Sequence, residues 1–166
     1  MSAGQADIVK AVNTLWNSSG LDDLFTVHWS ASEITKFEAL NDSEASPGQA
    51  WPYCVVEMPV PEIVTRMSGG EPGENWHTRD VPCTFHVYAT EISGDARTAK
   101  QIAAYFAEEI MKVFGGHPTV PSTPMNLDVG NVLLSQYQSD YCVRVGDEEW
   151  QWLINYIFRI DVPVMA

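Results

Sequence analysis

Basic side chains are scarce: nine lysines and arginines stand against 22 aspartates and glutamates, a formal charge of −13. Phosphate binding needs a basic stripe and the counterion release that goes with it, so this composition argues against nucleic-acid binding through the backbone. Cysteine is scarce too. Cys54, Cys83 and Cys142 are odd in number, far apart and without a C-x-x-C pair, which argues against a disulfide framework or a thiolate metal site. They read as small buried hydrophobes in a chain made in a reducing cytoplasm. No apolar run approaches the roughly 18 residues of a membrane-spanning helix. Residues 1–7 lack the basic and apolar regions of a secretory signal.

What is present is the material of a core. Hydrophobic residues make up 45% of the 166, too many for a disordered chain, and at this length one domain is expected. Ile8, Val9, Val12, Leu15 and Trp16 share one face of a 3.6-residue period, so a helix is expected, with Asp7 near its start and Ser18, Ser19 and Gly20 at its stop. Residues 26–29 read as a brief strand or an extended link, and residues 53–58 as a strand. Residues 81–90 alternate strictly, with Val81, Cys83, Phe85, Val87 and Ala89 on one side. The period then changes: Ala99, Ile102, Ala103, Phe106, Ile110, Val113 and Phe114 make a helical stripe, supported by Glu108 and Lys112 four residues apart and closed by Gly115 and Gly116. Residues 131–137 and 141–145 read as two strands. Trp150, Trp152, Ile154, Tyr156, Phe158, Ile160, Val162 and Val164 fall on one face of a long closing strand. Loops are expected at about 41–50, 66–80 and 115–128, the second being either functional or the tip of an extended hairpin.

One long helix after one strand is not a βαβαβ series. The expected fold is therefore α+β: an antiparallel-rich mixed β-sheet with two helices packed on one face, in a single domain. The sheet's second face carries Thr84, His86, Tyr88, Asn155 and Arg159, suited to water or a partner subunit.

The residue patterns of catalysis are missing. The strand-to-helix turn at residues 92–95 has a single glycine and an aspartate that would repel phosphate, so it reads as a helix cap. His28, His77, His86 and His117 have no second ligand at metal spacing. No G-x-S-x-G elbow is present. Asp147, Glu148 and Glu149 read as a solvated turn, and His86 as a surface or interface residue. Of the six tryptophans, Trp51 and Trp76 fall in expected loops beside glycine and proline, where a tryptophan either serves as an exposed interface anchor or folds back on its own domain. No enzyme and no cofactor are expected.

Four pieces of the chain resemble the tail terminator (tail completion, or minor tail) proteins of long-tailed bacteriophages: the helix at 8–16, the extended Trp51-Pro52-Tyr53-Cys54-Val55-Val56, the strand-to-helix unit at 85–90 and 96–103, and the terminal strand at 150–164 behind Asp147-Glu148. The resemblance implies a structural virion protein at the tail–neck junction, made in the host cytoplasm. It implies a ring, commonly of six copies, that caps the tail tube. Its partners would be other copies of itself, the tail tube protein and the neck connector, with DNA passing through the channel unbound and no membrane involved. The 66–80 loop would then reach a neighbour, with Trp76 as anchor, Arg66 or Arg79 meeting a carboxylate, and Trp51 and His86 as further contacts. The rival readings are a head–tail joining (neck) protein, a small α+β enzyme built on His86, Tyr88 and Glu57, and a dimeric binding module.

Overall fold

The computed structural model describes residues 5–21, 26–30, 53–58, 62–68, 75–91, 94–115, 125–128, 130–146 and 149–163. The elements are α1 (Gln5–Ser18), β1 (Thr26–Ser30), β2 (Tyr53–Glu57), β3 (Glu62–Ser68), β4 (Asn75–Thr90), α2 (Ala99–Phe114), β5 (Asn131–Arg144) and β6 (Glu149–Pro163). They form one six-stranded sheet in the order β1-β2-β4-β6-β5, with β3 beside the first half of β4. Among the described strands β1 and β2 run parallel and the other pairs are antiparallel. The fold is the α+β arrangement that the hydrophobic periods predict.

β4 and β6 are the spine, paired without interruption from Trp76↔Pro163 to Thr90↔Glu149. That register sets the odd residues of β4 beside the even residues of β6. Val81, Cys83, Phe85, Val87 and Ala89 thus share a face with Ile154, Tyr156, Phe158, Ile160 and Val162, all buried. Both helices close over this face. Trp16 of α1 stacks on Phe85 at 6.0 Å, Phe114 of α2 lies 4.8 Å from Phe85, and Tyr156 meets Phe85 edge-on at 5.8 Å. One aromatic cluster therefore joins two helices and two strands.

α2 begins in a capping box: Thr98 Oγ1 accepts from Gln101 N–H, and the Gln101 side chain accepts from Thr98 N–H. The cap is thus Thr98, downstream of the stretch at 92–95 where the sequence suggests it; Asp95 is gripped by Arg97 Nη2 at 2.7 Å. Lys112 pairs with Glu109 at 2.8 Å, one residue nearer than Glu108. Gly115 ends the helix at φ 69°, and Ser135 Oγ donates to the last-turn carbonyl of Phe114 at 2.7 Å, tying the helix end to β5.

Three features depart from the sequence expectations. Residues 66–68 and 75–80, expected in a loop, are strand, the paired arms of the β3–β4 hairpin. The expected loop at 41–50 lies outside the described residues, as do 116–124 of the loop at 115–128. The two strands expected at 131–137 and 141–145 are a single strand, β5, interrupted where its register shifts past Leu133 and Gln138. Such bulges insert a residue without ending the ladder.

Candidate functional site

The face of the sheet turned away from the helices carries chains of polar groups that cross the strands. Because Val55 lies opposite His86 and Glu57 opposite Thr84, Glu57 reaches diagonally to His86, with Oε2 and Nε2 2.9 Å apart. From β6, Gln151 Nε2 stands 2.8 Å from His86 Nδ1 and donates to Tyr88 Oη at 2.6 Å. A second chain runs from Thr84 Oγ1 to Asn155 Oδ1 at 2.9 Å and from Asn155 Nδ2 to Ser139 Oγ at 3.1 Å. A third pair is bidentate: Arg159 Nε and Nη2 donate to the two oxygens of Asp80 at 2.7 and 2.9 Å. That bond raises the already high pKa of Arg159 further.

The register brings Glu57, His86 and Tyr88 together, the three residues an enzyme of this fold would use. Their bonding decides their role. With the Gln151 amide donating to Nδ1, His86 is the tautomer that donates from Nε2 to Glu57, and both ring nitrogens are engaged. A general base needs a lone pair aimed at substrate, and this imidazole offers none. His86 is moreover only 3% exposed, which corrects its reading as a surface or interface residue. It is a buried, satisfied group holding β2, β4 and β6 in register. Among the thiols, burial pushes Cys54 and Cys83 well above the ordinary value and raises Cys142, the opposite of nucleophile activation. Among the described residues no group of three His, Cys, Asp or Glu side chains could hold a metal ion.

A cavity of about 360 Å³ lies between α1 and residues 125–128, lined by Ala11, Thr14, Leu15, Ser18 and Met125 among others. Lys10 Nζ and Asp128 Oδ2 meet 2.6 Å apart at its wall. Asp128 is the one carboxylate among the described residues that line it, so acid–base chemistry has no second carboxyl there.

Surface chemistry is more informative. Six large hydrophobic side chains are exposed among the described residues, and five of them, Leu133, Leu134, Tyr141, Val143 and Val145, lie on or directly after β5. β5 is also an edge of the sheet. An edge strand with exposed apolar side chains and neither lysine nor proline is a ready surface for another chain.

Of the residues expected at an interface, the hairpin gathers three. Arg66 of β3 pairs with His77, Met67 with Trp76, and Arg79 stands opposite Ile63. Trp76 is therefore a strand residue and not a loop residue, and Arg79 is half-buried on the helix-covered face beside Ile160. Trp51 lies outside the described residues. Sequence reasoning missed the β5 edge, although Tyr141, Val143 and Val145 alternate visibly in the sequence.

No protein-family model and no curated protein matches the chain. Among solved structures, a chain from the virion of a native gene transfer agent particle superposes with a TM-score of 0.41 and 15% identity, over 96% of this chain and 95% of that one.

Proposed function

We propose that this chain is a structural virion protein, a tail terminator whose copies close into a ring at the end of the tail tube and present a surface to the neck. The observation that carries the reading is the concentration of exposed apolar side chains along β5, beside a polar face on which His86 is chemically saturated. Such a surface fits a molecule that works by contact between subunits. The excess of acids agrees with it: a lumen with few cations repels passing phosphates within a Debye length of about 8 Å.

Ring closure needs two different patches on each subunit. In this reading the β3–β4 hairpin supplies one, with Trp76 as anchor and Arg66 or Arg79 against a neighbour's carboxylate. The ring would have six copies and touch the tube protein below and the neck connector above.

Particles assembled without this chain test the proposal. A terminator sets where the tube stops, so electron microscopy should find tubes of uncontrolled length without heads. Tubes of normal length that fail to join heads would assign the chain to the neck instead. Normal particles would reject both.

A further inference from the structure

The β5 edge carries a pattern that is complementary to itself. From Ser139 to Arg144 the strand is regular, pairing Ser139↔Asn155 through Arg144↔Trp150 of β6 without a bulge. Asp140, Cys142 and Arg144 face the helix side, because their partners Ile154, Trp152 and Trp150 do; Ser139, Tyr141 and Val143 face the open side. Tyr141, Val143 and Val145 are 50%, 40% and 49% exposed. Within residues 129–146 the charges are one acid, Asp140, and one base, Arg144, in a chain of formal charge −13. This neutral stretch is where two such acidic molecules approach with least repulsion.

Two copies of one strand pair antiparallel about a two-fold axis normal to the sheet, and only a few registers are open to them. Centred on Asp140, the pairing sets two carboxylates face to face, which destabilises a ladder. Centred on Tyr141, it leaves Arg144 opposite Gln138 and Asp140 opposite Cys142. Centred on Cys142, it matches everything at once. Asp140 then stands opposite Arg144 of the second copy, twice, and Tyr141 stands opposite Val143 of the second copy, twice. Opposite charges and aromatic–β-branched neighbours are the favoured cross-strand pairs. Asp140 is already oriented on the helix side by Trp152 Nε1, which donates to Oδ2 at 2.8 Å.

We infer that β5 is the contact by which two copies of this chain pair in solution, antiparallel and two-fold, centred on Cys142. The pairing uses one patch twice and so stops at two copies, covering an edge that would otherwise recruit strands indiscriminately. It shares with the proposed function only the premise that β5 is a contact surface. Ring closure needs other, head-to-tail contacts, so either reading can fail without the other.

The protein carries its own probe. Facing residues across a ladder lie within about 4.5–5.5 Å between Cα atoms, and Cys142 is half-buried while Cys54 and Cys83 are wholly enclosed. The expected results are a dimer by sedimentation equilibrium of the full chain and a covalent dimer on treatment with a short bis-maleimide, abolished by Cys142→Ser. Arg144→Glu, which sets Glu against Asp140 at both ends, should weaken dimerisation at least tenfold with the circular-dichroism spectrum unchanged, and Arg144→Lys should preserve it. A monomer at all concentrations, cross-linking that survives Cys142→Ser, or undiminished dimerisation of Arg144→Glu would overturn the inference. So would closed rings whose Cys142 residues do not cross-link, although those rings would support the proposed function.

Discussion

The two faces of one sheet do different physical work. The face under the helices is apolar, and the aromatic cluster of Trp16, Phe85, Phe114 and Tyr156 fills it by shape. The open face is held by bonds between named atoms, Glu57 to His86 to Gln151 to Tyr88, and Thr84 to Asn155 to Ser139. Packing supplies most of the stabilisation because it removes apolar area from water. Hydrogen bonds add little net energy, but a register slip would leave buried partners unpaired at a real cost. One face makes the sheet stable; the other makes its register unique.

That division orders the expected effects of mutation. Phe85→Ala empties the centre of the covered face and should cost about 3–5 kcal/mol in urea unfolding; a loss below about 1 kcal/mol would mean that the cluster is not the core. On the open face, His86→Ala leaves Glu57 and Gln151 without their shared partner and should cost about 1–3 kcal/mol. If it cost as much as Phe85→Ala, the contrast between the faces would be broken. At the start of α2, Thr98→Ala removes the capping box for about 1 kcal/mol, read as a shift in the urea midpoint at constant slope. The smallest effect has the opposite sign. Tyr156 Oη is buried on the covered face without a hydrogen-bond partner among the described residues, and burial drives its pKa upward. Tyr156→Phe should therefore be neutral or raise stability by up to about 1 kcal/mol, and a clear loss would show that the hydroxyl has a partner.

Asp95 gives the comparison a pH coordinate at the surface. The Arg97 side chain, through its hydrogen bonds, lowers the Asp95 carboxyl to about 2. A folded-state pKa below the unfolded one contributes stability above the unfolded value, and that contribution is lost as the pH falls towards 2. Asp95→Asn should lower stability modestly at neutral pH, where the ionised carboxylate contributes, and flatten the stability curve in that acid range, so that the two proteins converge as the pH approaches 2.

The covered face was legible because period-two and period-3.6 patterns report burial directly: the odd residues of β4, the even residues of β6 and the stripe of α2 stand where alternation put them. β3 and the start of β4 were not. Their segments are Glu-Ile-Val-Thr-Arg-Met-Ser and Asn-Trp-His-Thr-Arg-Asp, too polar to alternate, and only pairing with each other and with β6 defines them. β5 was split because each bulge reverses the phase. Val132 faces the helices, then Ser135 and Tyr137, then Asp140 and Cys142, so no single alternation runs through it. His86 was misjudged because polarity suggested water; its burial follows from Glu57, 29 residues away, and Gln151, 65 away. The capping box at Thr98 and Gln101, by contrast, was readable from its spacing.

As proposed, copies of this chain tile at one place in a particle. Gold-labelled antibody against this chain on intact particles tests it most directly. The expected image shows label at a single position, the junction of tail and neck, on every particle. Label spread along the tube, or particles that carry none, would contradict it.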